Sequence, residues 1–356
     1  MKYWHPHPSR RILLKMRKIK IGVAGLGFMG STHLKALRQI PGAELLAVIS
    51  SDETKLAGDL SSIQGNLGGP GEKLDFSNVR KYRSIVEAIA DPDIDALDLC
   101  LPSNQHAPIA IEALRAGKHV FVEKPMALDV AQCQAMIDEA RKHKRVLMVA
   151  QVLRFFPAYT LLREQLQSGA LGQVRSALFR RRCAAPAWGK WAFDPEKSGG
   201  GVFDLLIHDV DMCLHLFGPP KSVSALGHVN LEGGMDTMTA SLEYEGINDV
   251  VITGGWHHRK SYPFSMEYTV SADGGTMEYS SAGRPPTLYK ADGEVDILKE
   301  PEVDGYQAEL TYFIDCCQNH RWPEICAPEQ SAQAVSLMRL MEESRARGGA
   351  RLNFNS

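Results

Sequence analysis

The sequence lacks the features that mark several large classes of protein. No stretch approaches about 18 uninterrupted apolar residues, so no segment predicts a membrane-spanning helix. The seven cysteines are scattered without a CxxC pair, and their odd number argues against a complete set of disulfides. We therefore expect a reducing, cytoplasmic environment and no membrane partner.

An excess of basic charge is also absent. The 40 Lys and Arg residues stand against 42 Asp and Glu residues, which gives a net charge of -2 and predicts no nucleic-acid partner. With 44% hydrophobic and 23% charged residues, the composition is that of an ordinary globular protein. The chain has 356 residues, whereas single cores stop growing at about 250 to 300 residues. Two domains are therefore expected.

Residues 1–18 predict an arm outside the folded domains, and we expect it to be disordered. Residues 9–15 begin like a twin-arginine export signal, with two arginines before three apolar residues. An export signal also needs a hydrophobic region of about 7 to 15 residues, but basic residues interrupt the segment that follows. A disordered arm, or a start at Met16, is therefore favoured over export.

Residues 19–150 alternate between patterns typical of strands and patterns typical of helices. The predicted strands are residues 19–24, 45–49, 96–101, 119–123 and 146–150, and the predicted helices are residues 31–39, 84–90, 107–116 and 130–143. Such alternation predicts an α/β domain, a Rossmann fold with a doubly wound parallel sheet. The glycine-rich residues 64–73 predict a surface loop.

A glycine motif lies between the first predicted strand and the first predicted helix. Gly25, Gly27 and Gly30 form a GxGxxG pattern that encloses Phe28 and Met29. In dinucleotide-binding folds, the first glycine permits a tight turn, the second lets the backbone approach the pyrophosphate, and the third allows close packing. Free N–H groups at the helix start then face the phosphates. The motif predicts dinucleotide binding, and a glycine-rich turn without a ligand is the alternative.

The end of the second predicted strand bears on which dinucleotide binds. An acidic residue about 20 residues past the fingerprint would bind the ribose 2′-hydroxyl of NAD, but Ser50 and Ser51 occupy that position. Their small hydroxyls leave room for a 2′-phosphate, and Lys55 would supply its counter-charge. Asp52 keeps NAD open, so the prediction is NADP or NAD, with NADP favoured.

Further cofactor contacts are expected where two later strands end, because ligands of such sheets bind outside the carboxyl ends of the strands. One segment follows the strand at residues 96–101, and the other follows the strand at residues 119–123. The residues expected to contact the cofactor there are Leu101, Pro102, Asn104, His106, Glu123 and Lys124.

Three motifs occur in a fixed order along the chain. They are the GxGxxG pattern, the triplet at residues 123–125, and the glycines at residues 199–201 that precede Asp204, His208 and Asp209. In this combination the chain resembles the Gfo/Idh/MocA family, named for glucose-fructose oxidoreductase and inositol dehydrogenase. The resemblance covers most of the sequence, from Ile19 to the helical segment near the end.

The resemblance implies a second domain, residues 151–356, of α+β type and built on an open, mainly antiparallel sheet. The free face of that sheet often forms oligomer contacts in the family, so we expect a homo-oligomer, a dimer or a tetramer. Residues 331–345 predict a closing helix. The strand-like runs that agree with this architecture are residues 174–180, 222–226, 237–244, 249–256, 264–271 and 275–279.

The family's catalytic positions match Lys124, Asp204 and His208, which we also expect to contact the substrate. Oxidation of an alcohol needs a proton acceptor with a pKa near working pH, and histidine suits that role. Asp204 lies four residues before His208 on a predicted helix, so the two share a face. Asp204 would hold the imidazole or contact a substrate hydroxyl, and Lys124 would hydrogen-bond the reacting oxygen.

A polar and aromatic wall that contacts the sugar ring of the substrate is expected beside these residues. Arg154, Trp188 and Trp191 are its candidates, although tryptophan is equally common in cores and interfaces. The neighbouring His257 and His258 would point to opposite faces of a strand. Because no zinc motif supports them, no metal site is predicted.

These features predict an NAD(P)-dependent oxidoreductase that transfers hydride between nicotinamide and a secondary alcohol or ketone of a sugar, glycoside or cyclitol. Two alternatives stay open on the same fold. A non-enzymatic sensor of a dinucleotide or sugar would be expected to lose the lysine or the histidine. An NAD-dependent glycosidase would need an additional motif, which we do not find.

Overall fold

The computed structural model describes residues 17–65, 71–186 and 190–355. The first half contains a parallel sheet, with strands β1 (Ile19–Ala24), β2 (Ala43–Ile49), β3 (Arg80–Tyr82), β4 (Ala96–Leu99), β5 (His119–Val122) and β6 (Leu147–Val149). Their order is β3-β2-β1-β4-β5-β6. Every residue of β4 and β5 is buried, because helices cover both faces of the sheet.

The helices that cover this sheet begin at the ends of its strands. They are α1 (Phe28–Leu37), α2 (Glu53–Leu56), α3 (Ile85–Ala90), α4 (His106–Arg115) and α5 (Val130–Lys142). Side chains fix where several of them begin: Ser84 and Glu87 form a capping box on α3, and Asp129 caps α5. The doubly wound parallel sheet predicted from the alternation is confirmed.

The second half contains a nine-stranded sheet. Its strands are β7 (Val174–Ala184), β8 (Ser222–Asn230), β9 (Met235–Tyr244), β10 (Ile247–His258), β11 (Ser265–Ala272), β12 (Gly275–Ser280), β13 (Arg284–Lys290), β14 (Val295–Ile297) and β15 (Leu352–Asn353). The order is β14-β13-β12-β11-β7-β10-β9-β8-β15, antiparallel except for the parallel pair of β7 and β10. This confirms the open, mainly antiparallel sheet that the resemblance implied.

One face of the second sheet is covered and the other is open. The helices of the second half are α6 (Pro157–Gln167), α7 (Pro195–Ser198), α8 (Gly201–Phe217), α9 (Gly305–Gln318) and α10 (Pro328–Ala346). Helices α8 and α10 pack against the sheet and against each other. Along β9, buried and exposed residues alternate, as expected for a sheet with one covered face.

Helix α9 belongs to the second half of the chain but completes the core of the first. Leu310, Phe313 and Ile314 pack in the cluster that contains Ile21 and Phe121. We had expected all of residues 151–356 in the second domain. The structure instead places α9 against α1 and β1, so the two domains interlock.

Several expectations fall partly or wholly outside the described residues. These include most of the arm at residues 1–18 and residues 66–70 of the predicted loop. Arg17, at the start of the described chain, pairs with Asp95 at 2.6 Å. In the part of the chain that the structure describes, no helix has the length and apolar character needed to cross a membrane.

Candidate active site

A cavity of about 780 Å³ lies at the carboxyl edge of the parallel sheet. The glycine loop, the ends of β2, β4 and β5, helix α8 and strands β7 and β11 contribute to its walls. Most of the residues predicted from the sequence meet there. Those that line the cavity are Gly25, Gly27, Phe28, Met29, Ser50, Ser51, Lys55, Leu101, Pro102, Glu123, Lys124, Trp191, Asp204 and His208.

Only one of the three glycines in the loop borders open space. At the other two, a side chain would collide with the backbone. At Gly25, φ is +90° and a Cβ would lie 2.2 Å from the carbonyl oxygen of Cys100. A Cβ on Gly30 would lie 2.0 Å from the carbonyl oxygen of Gly25, whereas one on Gly27 would meet nothing within 4 Å. Helix α1 starts directly after Gly27 without a side-chain cap. The open space and the uncapped N–H groups fit the pyrophosphate of a dinucleotide.

The segment that follows β2 presents hydroxyl groups to the cavity. Its carboxylate, that of Asp52, caps a helix. Ser50, Ser51 and Lys55 line this part of the wall. Asp52 also reaches the wall, but its Oδ1 accepts hydrogen bonds from two backbone N–H groups at 2.9 and 3.3 Å and caps α2. This end of the cavity therefore combines two hydroxyls, one ammonium and a carboxylate whose Oδ1 is engaged in the helix cap.

Arg83, which the sequence reasoning missed, lines the same end of the cavity. It follows β3 and pairs with Glu53 at 2.6 Å, with both side chains mostly exposed. Its position directly after a strand of a parallel sheet would have been the signal. Strand β3 is only three polar and aromatic residues long, however, and was not recognisable as a strand.

The segment after β4 contributes less than expected. Leu101 and Pro102 line the cavity, but Asn104 and His106 do not. The ring nitrogens of His106 lie 2.8 Å from the carbonyl oxygens of Pro125 and Leu101, and the imidazole is fully buried. The expectation that Asn104 and His106 line the cofactor cavity is therefore wrong. His106 lies outside the cavity and joins the loop after β4 to the loop after β5.

A buried polar cluster behind Glu123 was also missed. His33 of α1 lies 2.9 Å through Nδ1 from Asp98, and its Nε2 lies 3.2 Å from Glu123. Burial lowers the pKa of His33, but the charge of Asp98 and the contacts of the ring with Asp98 and Cys100 outweigh burial and raise that pKa well above its ordinary value. A charged imidazole thus sits between two carboxylates and fixes Glu123, the neighbour of Lys124.

Lys124 and Asp204 form the ion pair that faces the cavity. The Nζ of Lys124 donates to Oδ1 and to the backbone oxygen of Asp204, both at 2.9 Å. The side chains are 15% and 30% exposed. We had expected Asp204 to hold His208 or to contact a substrate hydroxyl. In the structure the carboxylate of Asp204 binds Lys124 instead. The expectation that Asp204 orients His208 is therefore wrong.

His208 lies one turn after Asp204 on α8 and lines the same cavity. Its Nδ1 is buried and has no hydrogen-bond partner among the described residues. Burial, followed by the positive charges of Lys124 and Arg181, lowers the pKa of His208 well below its ordinary value. The imidazole is therefore neutral near pH 7, and Nε2 is the nitrogen that remains for a ligand.

Arg154 does not reach the cavity. Its Nε and Nη2 donate to Asp211 of α8 at 2.8 and 2.6 Å, and its Nη1 donates to the backbone oxygen of Ile325 and to Gln330. The Arg154 side chain is 0% exposed. The expected substrate contact of Arg154 is corrected: it ties the start of the second half to α8 and to the segment before α10.

Arg181 of β7 was missed and does line the cavity. It is buried, and its Nε and Nη2 donate to Asp209 at 2.7 and 3.0 Å. In the sequence it stands between two other arginines, a pattern typical of a solvated basic face. The structure separates them, because Arg180 and Arg182 pair with Glu267 on one side of the sheet while Arg181 points to the other.

Of the expected aromatic wall, Trp191 lines the cavity and Trp188 lies outside the described residues. Phe264 and Met266, which the sequence reasoning did not single out, add apolar surface. This part of the cavity wall thus contains one indole, one phenyl ring and a thioether beside charged pairs.

The expectation that His257 and His258 point to opposite faces is wrong. Their ring centroids are 3.9 Å apart, and His258 stacks on Tyr262 with the centroids at 3.7 Å. The pairing of β10 with β7 shifts register just before His258, so the regular alternation of side chains is interrupted. Among the described residues, His33, Asp98 and Cys100 have metal-ligand spacing, but hydrogen bonds between them account for it.

Comparison with known proteins agrees with this geometry. Residues 19–151 match the oxidoreductase family with an NAD-binding Rossmann fold, and residues 159–278 match the Gfo/Idh/MocA C-terminal domain. The two matches cover more than half of the chain. The protein therefore belongs to the Gfo/Idh/MocA family of oxidoreductases, which confirms the resemblance seen in the sequence.

The relatives include several named dehydrogenases. Myo-inositol 2-dehydrogenase of Thermotoga maritima is 29% identical over 311 residues, 83% of this chain and 87% of the relative. Levoglucosan dehydrogenase of Pseudarthrobacter phenanthrenivorans is 30% identical over 224 residues, 59% of this chain and 54% of the relative. The protein is accordingly an enzyme of an oxidoreductase family with an NAD-binding Rossmann domain.

Solved structures confirm the fold. Levoglucosan dehydrogenase in complex with NADH and L-sorbose matches with a TM-score of 0.82 at 19% identity, over 96% of this chain and 100% of that chain. An aldose-aldose oxidoreductase from Caulobacter crescentus, complexed with glycerol, matches with a TM-score of 0.79 at 22% identity, over 95% and 100%. At these identities the likeness concerns architecture alone.

Proposed function

We propose that the protein transfers a hydride between a nicotinamide cofactor and a secondary alcohol or ketone of a sugar, glycoside or cyclitol. The observation that supports this best is the convergence of Lys124 and His208 on one cavity. The first group follows β5 of the nucleotide domain and the second comes from α8 of the other domain. The glycine cradle opens into the same space.

The surroundings of His208 and Lys124 suit these two residues to different roles. The bound cofactor supplies the hydride acceptor or donor. His208 accepts the hydroxyl proton at Nε2, because its lowered pKa keeps the ring neutral and its Nδ1 is buried. Lys124 donates to the reacting oxygen and stabilises the negative charge that develops there. Asp204 holds the ammonium in place, and in the reverse direction His208 returns the proton.

The charges around the substrate side favour a neutral polyhydroxy compound. Lys124 is paired with Asp204, and Arg181 is paired with Asp209. Each of these positive charges is balanced by a carboxylate, so the two pairs add no net positive charge that would favour a substrate carboxylate or phosphate. Trp191 offers an apolar face of the kind on which a sugar ring packs.

NADP(H) is the preferred cofactor in this proposal. Ser50 and Ser51 stand where a carboxylate would repel a 2′-phosphate, and Lys55 and Arg83 line the same end. Lys55→Gln is expected to lower kcat/KM with NADP roughly tenfold, the size of one lost charge-assisted hydrogen bond, and to leave kcat/KM with NAD nearly unchanged. Lys81→Gln, on exposed β3 and outside the cavity, is the matched control. Equal losses with both cofactors would remove Lys55 from this role.

Activity is tested with the whole protein. A fluorescence titration measures binding of NADPH and NADH, and absorbance at the reduced-nicotinamide band then follows turnover with myo-inositol, levoglucosan and a panel of aldoses. Turnover of a neutral polyol supports the proposal. Cofactor binding without turnover of any polyol would favour a sensor, and release of the aglycone from a glycoside would favour a glycosidase.

A homo-oligomer formed through the open sheet face completes the proposal. The sheet carries exposed apolar side chains that a second copy would cover. They include Leu178, Leu226, Met235, Val295 and Ile297. Light scattering gives the subunit number. All seven cysteines are free, which supports a reducing, cytoplasmic location.

A further inference from the structure

A second cavity, of about 650 Å³, lies at the opposite edge of the parallel sheet from the nicotinamide site. The amino-terminal ends of β1, β4 and β5 form its floor, and the carboxyl end of α9 forms one wall. Neither the proposed reaction nor the packing of the core accounts for the polar groups that face it.

Two cations in this cavity lack a carboxylate partner among the described residues. Lys118 is 6% exposed, and its Nζ donates only to the backbone oxygens of Asp91 and Ile94, at 2.5 and 2.8 Å. The side chain of Arg145 makes no hydrogen bond or ion pair with any described residue, and its Nε is buried. A buried lysine is normally paired with a carboxylate, and neither Lys118 nor the half-buried Arg145 has such a partner in the described part of the chain. The positive charge of this cavity is therefore not fully balanced.

The neighbouring acids are already used. Asp95, the one carboxylate among the described residues that line the cavity, accepts from Arg17 at 2.6 Å and from the backbone N–H of Lys20 at 2.9 Å. Asp91 and Asp93, behind Lys118, both pair with Arg80. Each of these three acids thus has another cationic partner, and none of the described carboxylates forms an ion pair with Lys118 or Arg145.

His119 adds a directed donor. Its Nδ1 accepts the backbone N–H of Val146 at 2.9 Å, so the proton of the neutral ring is on Nε2. Burial, then the charges of Arg145 and His320, lower the pKa of His119 to about 4, against the opposing effect of Asp95. At neutral pH the ring is an N–H donor in a positive field.

We propose that this cavity binds a tetrahedral oxyanion, either inorganic phosphate or the phosphate group of a phosphomonoester. Arg145 supplies the guanidinium donors, His119 supplies Nε2–H, and Lys118 supplies positive charge from beneath. A phosphate anion has several acceptor oxygens, so it satisfies donors that point from different elements. The site lies at the edge of the sheet opposite the cofactor, so it is separate from the proposed reaction.

The test follows the His119 ring by NMR in the full-length protein, saturated with reduced cofactor so that the phosphate groups of the main site are filled. Inorganic phosphate and glycerol phosphate are titrated separately, each against chloride at equal ionic strength. Binding raises the pKa of His119, because an anion counters the field of Arg145, and it raises the melting temperature. Stronger binding of one probe identifies the free ion or the ester.

Arg145→Gln is expected to weaken phosphate affinity about tenfold or more, the usual loss of one charge-assisted contact, while turnover at the main site stays unchanged. Arg38→Gln, an exposed arginine of the same domain, should bind phosphate like the unaltered protein. The proposal is overturned if phosphate moves the His119 titration no further than chloride does. That measurement decides the matter even if Arg145→Gln does not fold.

Discussion

Helix α8 carries three carboxylates that illustrate two uses of an ion pair. Asp211 pairs with Arg154 and Asp209 pairs with Arg181, and in both pairs the side chains are at most 2% exposed. Asp204, on the same helix, pairs with a Lys124 ammonium that opens to the cavity. Similar groups at similar distances thus lie in different surroundings, and the surroundings decide what each pair does.

A buried pair resists any change of partner. Removal of one member leaves an uncompensated charge in a medium of low dielectric, which costs several kcal/mol. A pair at the wall of a water-filled cavity can exchange one partner for water or a ligand at little cost. The two buried pairs therefore fix α8 relative to β7 and to the chain before α6. The open pair leaves the Lys124 ammonium able to exchange its partner, as the proposed reaction requires.

Arg154→Met would break this comparison most strongly. We expect it to lower the free energy of unfolding by about 3 to 5 kcal/mol, because Asp211 stays buried without its partner. Denaturant unfolding followed by circular dichroism measures the loss. The double variant Arg154→Met with Asp211→Leu should recover part of that stability. A loss below about 1 kcal/mol, the size typical of an exposed pair, would contradict the role given to the buried pair.

Lys124→Met should have the reverse profile. Stability is expected to change little, whereas kcat falls by about 100- to 1000-fold, the usual effect of removing one donor from a developing oxyanion. Cofactor affinity, measured by fluorescence titration, should be nearly retained. Unaltered turnover in this variant would remove the assigned role from Lys124.

The Lys124 ammonium of the open pair also lowers the pKa of His208, and the pH dependence of the reaction tests this effect. The proposed oxidation of an alcohol uses the neutral imidazole of His208. We therefore expect kcat/KM to stay level as pH falls through 6.5, the ordinary histidine pKa, and to decline only at the lower pKa of the folded protein. After burial, the charge of Lys124 is the next cause of that lowering. Lys124→Met should therefore raise the pKa of His208, as measured by NMR titration. A downward shift would contradict this account.

The parts of the fold that could be predicted are those with a simple pattern. Strands β1, β4 and β5 are short apolar runs, and such runs are typical of buried parallel strands. Helix α9 was missed because it buries residues around much of its surface, including Glu309 at 0% exposure, so it lacks a distinct polar face. Short β3 has no apolar pattern at all.

The site shows the same division. Gly25, Lys124 and His208 lie in motifs whose spacing carries the signal within a few residues. The position of Arg154 depends on Asp211, 57 residues away, and no local pattern shows that this carboxylate will be its partner. Motifs thus located the cavity, and long-range pairing decided which polar residues face it.

The interlocked helix α9 also constrains how the protein is made. Ribosomes deliver the chain from its amino end, so the glycine loop and β1 to β6 emerge long before residues 305–318. Until then the apolar surface around Ile21 and Phe121 has no cover from Leu310 and Phe313. The nucleotide domain therefore cannot reach its mature core during synthesis until nearly nine-tenths of the polypeptide has left the exit tunnel.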